Sequence, residues 1–123
     1  MKKTSRNPTQ RQLRIGELIR HEISDFLLRG NFHDEHLSKT SITVSQVVIS
    51  GDLRWGKVYI SPLGGLDTVN VVKSLNDNVK RIQGYIASKI HLKRMPKLIF
   101  YEDTSFDFAK KINEKIYSLY KVN

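Results

Sequence analysis

The chain has 123 residues, 39% of them hydrophobic and none cysteine, with a formal net charge of +9 and an isoelectric point near 9.9. That length fits one domain able to bury roughly two thirds of the surface its unfolded chain exposes, so a core without covalent staples is expected. The missing cysteines exclude disulfides, thiolate metal sites and thiol catalysis, and the lack of any apolar run near the roughly 20 residues of a membrane span, or of a signal-peptide centre, leads us to expect a soluble, cytoplasmic protein.

The positive charge is uneven. Residues 1–30 carry seven Lys and Arg against three acids, and residues 66–96 carry six against two, while 31–65 balance three against three and 97–123 carry five against four. An excess concentrated in two helical segments favours a polyanionic partner, and nucleic acid is the commonest one inside cells.

Residues 1–8 read as a flexible basic arm ending at Pro8, whose fixed φ suits the first turn of a helix. Ile15, Leu18, Ile19, Ile23, Phe26 and Leu27 then recur at helical spacing until Gly30 stops the pattern. Arg14 lies off this stripe, with Arg11 and Arg29 at its flanks. In the polar stretch NFHDEHLSKT, His33, Asp34, Glu35 and His36 are metal-ligand types, but adjacent loop residues cannot all face one ion and the HExxH spacing is absent. A solvated loop without metal is the expectation.

Ile42–Ser50 and Trp55–Ser61, rich in Val, Ile and Tyr and separated by Ser50, Gly51 and Asp52, read as an antiparallel hairpin. The consecutive Val47, Val48 and Ile49 call for a bulge or for burial on both sides. Val58 and Ile60 share one face of the second strand, while Trp55, Lys57 and Tyr59 share the other. The latter trio reads as the outer face of a sheet whose aromatics cover one another; the alternative is an aromatic and basic platform for bases. Gly64 and Gly65 in the next loop match no phosphate-binding pattern, and Asp67 is a plausible helix N-cap.

From Val72 to Pro96 the chain carries its strongest periodicity. Val72, Leu75, Val79, Ile82, Ile86 and Ile90 form one stripe, and Lys73, Lys80, Arg81, Gly84 and Ser88 fall away from it. Gly84, inside this helix, predicts either a close neighbour or a bend. Pro96 ends the helical region. Leu98–Tyr101 follows as a third strand, which a helical crossover can lay parallel to a hairpin strand. Residues 104–123, with Phe108, Ala109, Ile112, Ile116 and Leu119 at helical spacing, form either a terminal helix or a tail that orders against a partner.

The result is an α+β chain of order α-β-β-α(kink)α-β over residues 9–103, with a three-stranded mixed sheet and helices on one face. That is the order of the type II KH domain, whose usual GxxG loop clamps single-stranded RNA. No GxxG occurs here; Ile82-Gln83-Gly84 stands at the expected bend.

At this point the chain resembles the bacterial ribosome-binding factor A family, from about Gln10 to Ile116. The matching pieces, in order, are RIGELIRHEISDFL, ITVSQVVISGDLRWGKVYIS, IQGYIASKIHLKRMPKLIFYEDTS and KINEKI. The resemblance implies a type II KH-like fold in which an Ala-x-Gly kink replaces the GxxG loop. It also implies a non-enzymatic factor that binds the small ribosomal subunit, assists late maturation of its RNA and is linked to growth in the cold. Ile82 stands where the family has the kink alanine, and it also fits the buried stripe, so a shallower bend is expected.

The expected RNA-binding residues are Arg11, Arg14, Lys73, Lys80, Arg81, Gly84, Lys89, Lys93 and Arg94, with Lys2 and Lys3 from the arm. Phosphate contacts would supply most of the affinity. No cofactor, metal or small-molecule substrate is expected, and the protein is expected to be a monomer. Two rivals are a general RNA-binding or RNA-chaperone module without ribosome specificity, and a small ribonuclease using His21 or His91 as acid and base.

Overall fold

The computed structural model describes residues 7–29, 37, 41–65 and 67–104. The Lys2 and Lys3 arm, the Gly30 stop, the His33–His36 loop and the C-terminal stretch fall outside the described residues. Within them the order is α1 (Gln10–Arg29), β1 (Ile42–Ile49), β2 (Trp55–Pro62), a short 3-10 turn (Leu63–Gly65), α2 (Thr68–Asp77), α3 (Val79–Lys89) and β3 (Lys97–Glu102).

The helix α1 starts at Gln10, two residues past Pro8, because Thr9 and Gln12 form a reciprocal cap. Thr9 Oγ1 accepts the Gln12 amide at 3.1 Å while the Thr9 amide donates to Gln12 Oε1 at 2.8 Å. This satisfies two of the orphan donors at a helix start, so Pro8 stays outside. The same Gln12 donates through Nε2 to the Ile49 carbonyl at 2.9 Å, fastening the start of α1 to the end of β1.

The sheet order is β1-β2-β3, with β1 and β2 antiparallel and β2 and β3 parallel. The Val47-Val48-Ile49 run is resolved by a bulge: the register shifts between Val44 and Gln46, leaving Ser45 unpaired, and its hydroxyl donates to the Tyr59 carbonyl at 3.2 Å. One extra residue reverses the alternation. Val44 and Ile49 are therefore both buried, while Val48 turns outward. Ile19, Ile23, Val58, Ile60, Val71, Leu75, Ile82, Ile86 and Phe100 are the innermost apolar side chains, joining all three helices to one face of the sheet.

Two expectations for the central helix are corrected. It breaks at Asn78 rather than at Gly84, and α3 runs through Gly84 uninterrupted. Asn78 (φ −101°, ψ 11°) closes α2 with its amide and its Nδ2, which donates to the Ser74 carbonyl at 2.8 Å, and its own carbonyl accepts the Ile82 amide of α3 at 3.1 Å. An alanine Cβ at Gly84 would meet nothing within 4 Å, so no neighbour requires the glycine either. The second correction is that α3 stops at Lys89, because Ile90 is extended (φ −123°, ψ 145°). Residues 90–96 are a loop carrying Lys93 and Arg94, and Pro96 opens β3 instead of closing a helix.

The break has a tertiary cause. The outer edge of β3 is bonded by side-chain amides: Asn76 exchanges two hydrogen bonds with the Phe100 backbone (2.9 and 3.1 Å), and Gln83 Oε1 accepts the Leu98 amide at 2.8 Å. In one straight helix residues seven apart lie about 10.5 Å apart along the axis, whereas strand amides two residues apart lie about 6.6 Å apart. Bending at Asn78 shortens the span so that both amides reach. Asp67 stands at the N-cap of α2 as expected, but in left-handed backbone (φ 57°), and its carboxylate accepts Asn70 Nδ2 at 2.7 Å instead of capping an amide.

Glycine does matter at Gly16. A Cβ there would sit 2.8 Å from the Val47 carbonyl oxygen, a backbone atom that cannot step aside. Gly16→Ala is therefore expected to lower stability by about 1–3 kcal/mol through overpacking, whereas Gly84→Ala raises it by up to about 1 kcal/mol by removing a helix-interior glycine. Urea unfolding of both variants checks this, and equal effects at the two sites would contradict it.

Candidate nucleic-acid interface

A cleft of about 380 Å³ opens where the start of α1, the β1–β2 turn and the loop after α3 meet. Arg11, Lys93 and Arg94 line it, together with Asp52, Leu53, Ile15, Leu92 and Pro96. Residues more than eighty apart in sequence thus place three cations around one concavity.

The one acid there is already engaged. Asp52 Oδ1 accepts the Ser50 hydroxyl at 2.6 Å and the Arg54 amide at 3.1 Å, and these bonds, the Ser50 one first, hold its carboxyl below the usual value. The turn they brace keeps Leu53 in left-handed backbone (φ 63°), an uncommon state for a non-glycine residue. The cleft therefore presents three cations against a single carboxylate that is already bonded within its own turn.

The second group of cations lies on α3. Ile82 and Ile86 face the core, while Lys80, Arg81, Gly84, Ala87, Ser88 and Lys89 are exposed. By helical spacing, Lys80 and Arg81 stand one turn before Gly84, and Ala87 and Ser88 follow it, giving a strip low in side-chain bulk with its cations at the N-terminal end, while Lys89 stands about 140° round the helix from Gly84. Of the other expected residues, Lys73 lies on α2 and pairs with Asp77 at 3.2 Å, and Arg14 is exposed on α1 but does not line the cleft. His21 and His91 are exposed, and neither lines the cleft. Among the described residues no group of three or more His, Cys, Asp or Glu could hold a metal ion, and no helix is long and apolar enough to cross a membrane.

The helix α3 is tied to α1 by a polar cluster. The Tyr85 hydroxyl donates to Asp25 Oδ2 at 2.6 Å, Arg29 Nε donates to the same oxygen at 2.9 Å, and the Tyr85 ring stands 4.9 Å from that of Phe26. Lys89 Nζ lies 5.3 Å from the Tyr85 ring centroid, so the same ring holds a cation to one side of the strip.

Sequence reasoning did not find Leu53, nor the partnership of Lys97 and Tyr101 with Trp55 and Tyr59 of β2. The register, Trp55 beside Lys97 and Tyr59 beside Tyr101, creates that partnership. No periodicity within one strand encodes it.

A helix, a hairpin, two helices meeting at one residue and a parallel third strand define a type II KH-like domain, here without a clamp loop at the helix junction. The family model for ribosome-binding factor A matches residues 11–116. A ribosome-binding factor A from Afipia carboxidovorans is 45% identical over 106 residues, which are 86% of this chain and 75% of that protein. The chain belongs to the ribosome-binding factor A family. Its fold is similar to the crystal structure of ribosome-binding factor A from Thermus thermophilus, with a TM-score of 0.62 and 16% identity over 74% of this chain and 94% of the other. It is also similar to a homology model of Thermus thermophilus ribosome binding factor A fitted into a cryo-EM map of its 30S complex, with a TM-score of 0.56 and 18% identity over 78% of this chain and 94% of the other.

The Asp25 cluster carries a pH signature. The Tyr85 hydrogen bond first, then Arg29, lowers the Asp25 carboxyl below its ordinary 3.8, while the same Asp25 bond, then burial, raises the Tyr85 hydroxyl above its ordinary 10.0. A lowered carboxyl contributes stability above 3.8 that is lost as pH falls through the folded value; a raised phenol contributes stability below 10.0 that is lost as pH rises through its folded value. The gap in thermal midpoint between the parent and Tyr85→Phe should thus be widest between those limits and shrink at both ends. A gap unchanged through the acid limb would show that the bond to Asp25 is not its source.

Proposed function

We propose that this protein is a ribosome assembly factor that docks on the small ribosomal subunit and assists late maturation of its RNA. The observation that carries the reading is the convergence of Arg11, Lys93 and Arg94 around a cleft whose only carboxylate is internally bonded. The Thermus thermophilus relative fitted into a map of a 30S complex supports the choice of subunit.

In this reading the cleft holds a backbone phosphate, and the α3 strip lies along a neighbouring stretch of RNA. Lys80, Arg81 and Lys89 neutralise phosphates there, while Gly84 lets the backbone approach closely. Arg14 and Lys73 widen the positive field. The residues position the protein through phosphates, and the shape of the subunit supplies the choice of site. Such a role needs no catalytic group, cofactor or small-molecule substrate, and it suits a cytoplasmic monomer.

Co-sedimentation with isolated small subunits, large subunits and free ribosomal RNA at low and near-physiological salt tests the reading. Small-subunit binding that survives the higher salt is expected. Binding to every RNA at low salt and to none at higher salt would reduce the protein to a general RNA binder. Changing Lys80 and Arg81 together to Glu is expected to weaken small-subunit binding at least tenfold and to lessen the slope of log affinity against log salt by about one to two, because up to two phosphate contacts are lost. The thermal midpoint should stay within a few degrees of the parent, since both side chains are exposed. Unaltered binding would remove α3 from the interface.

A further inference from the structure

The face of the sheet turned away from the helices is left unused by the helical surface. Along it Trp55, Val48 and Tyr101 are 47%, 41% and 38% exposed, and Tyr59 is half-buried. Lys97 Nζ rests 5.6 Å from the Trp55 ring centroid, and the Tyr59 and Tyr101 rings stand 5.8 Å apart at 30°. Lys57 projects from β2 between Trp55 and Tyr59, opposite Val48 on one neighbouring strand and Ile99 on the other. None of the outward-facing residues of the three strands is Asp or Glu.

We propose that this face is a second RNA contact, at which unpaired nucleobases stack on Trp55 and on the Tyr59–Tyr101 pair while Lys57 and Lys97 meet the connecting phosphates. Four residue steps along the strand carry Trp55 to Tyr59, about 13 Å, so one base can lie at each end with Lys57 midway along the linking backbone. Stacking suits rings of this kind because every base has a π-face, and duplex RNA, whose bases are already stacked and paired, cannot use them. Lys97 can pass from the indole face to a phosphate as a base takes its place.

Lysines without acids point to RNA rather than to an apolar protein segment, and position points the same way. Leu53 and Pro96 line the cationic cleft, and Trp55 and Lys97 follow within two residues of them. A strand held by its phosphates in the cleft can therefore turn over this end of the sheet and lay its next bases on Trp55. The inference rests on the RNA-binding reading for the class of ligand only.

Trp55 is the one tryptophan of the chain, so its emission reports on this face alone. The test titrates the full-length protein with an unstructured octanucleotide of A and U and, separately, with a blunt duplex of equal length. The expected result is saturable quenching by the single strand and little by the duplex. Tyr101→Leu, at an exposed position, should weaken single-strand binding about tenfold, and Lys57→Glu should weaken it further, each with a thermal midpoint near the parent's. Unchanged Trp55 emission while the anisotropy of labelled RNA shows saturation would overturn the proposal. So would equal quenching by the duplex, or parental affinity in both variants. Small-subunit co-sedimentation is a separate readout, so failure here leaves the helical surface standing, and the reverse also holds.

Discussion

The third strand lies at the edge of its sheet, and among the described residues no strand pairs with its outer side. Its Leu98 and Phe100 amides are met instead by the side chains of Gln83 and Asn76. An unmet row of strand amides invites pairing with another chain, and an amide side chain that both donates and accepts imitates the missing neighbour. Much of the domain follows from that substitution. It requires α2 and α3 each to hang an amide over β3, which a single straight helix does poorly, and so the chain bends at Asn78. The bend sets the direction of α3, and with it the face on which Lys80, Arg81 and Lys89 stand. The same bonds hold β3 in place against β2, which is what sets Lys97 beside Trp55 and Tyr101 beside Tyr59.

On the other side of the domain, close packing does the positioning. Gly16 lets α1 settle against the Val47 carbonyl, and Gln12 fixes the start of the helix to the end of β1. Arg11, one residue earlier, is thereby carried to the mouth of the cleft. The Tyr85–Asp25 bond then locks α3 to the far part of α1. Exposed ion pairs such as Arg20–Glu17 and Lys73–Asp77 add little to this, because solvent screens them. The elements that carry the cations proposed to bind RNA are thus held mainly by packing and hydrogen bonds rather than by exposed ion pairs.

How far the sequence foretold this depends on the range of the interaction concerned. The stripe of α1 and the alternation of β2 are local, and both were readable; the consecutive Val47, Val48 and Ile49 left a bulge and two-sided burial both open, and the register shift at Ser45 decides for the bulge. The break at Asn78 was not readable. Val72, Leu75, Val79, Ile82, Ile86 and Ile90 keep their three-and-four spacing straight across it, so the apolar pattern continues where the backbone does not. Its cause, two amides reaching a strand some twenty residues away, leaves no periodic trace. Gly84 misled for the complementary reason: a helix-interior glycine usually marks a local constraint, and here the space around it is open. The cations were identifiable one at a time, but the meeting of Arg11 with Lys93 and Arg94 depends on α3 ending at Lys89, which Pro96 seemed to place later.

The two proposed contact faces also differ in the physics by which they would hold RNA. Contacts of Arg11, Lys93, Arg94 and the α3 strip with phosphates release counterions, so they weaken steeply as salt rises and discriminate little among sequences. Stacking on Trp55 and the tyrosine pair depends mainly on base–ring overlap and requires unpaired bases. A domain carrying only the first face would cling to any RNA at low salt. One carrying only the second would hold any loose strand weakly. Joined at the cleft, where Leu53 and Pro96 lead directly into Trp55 and Lys97, the two would favour RNA that offers a fixed backbone and a few free bases side by side. Incompletely folded RNA presents that combination, and finished duplex removes it. If both proposed faces bind as argued, binding would weaken as the RNA folds, with no catalytic step required.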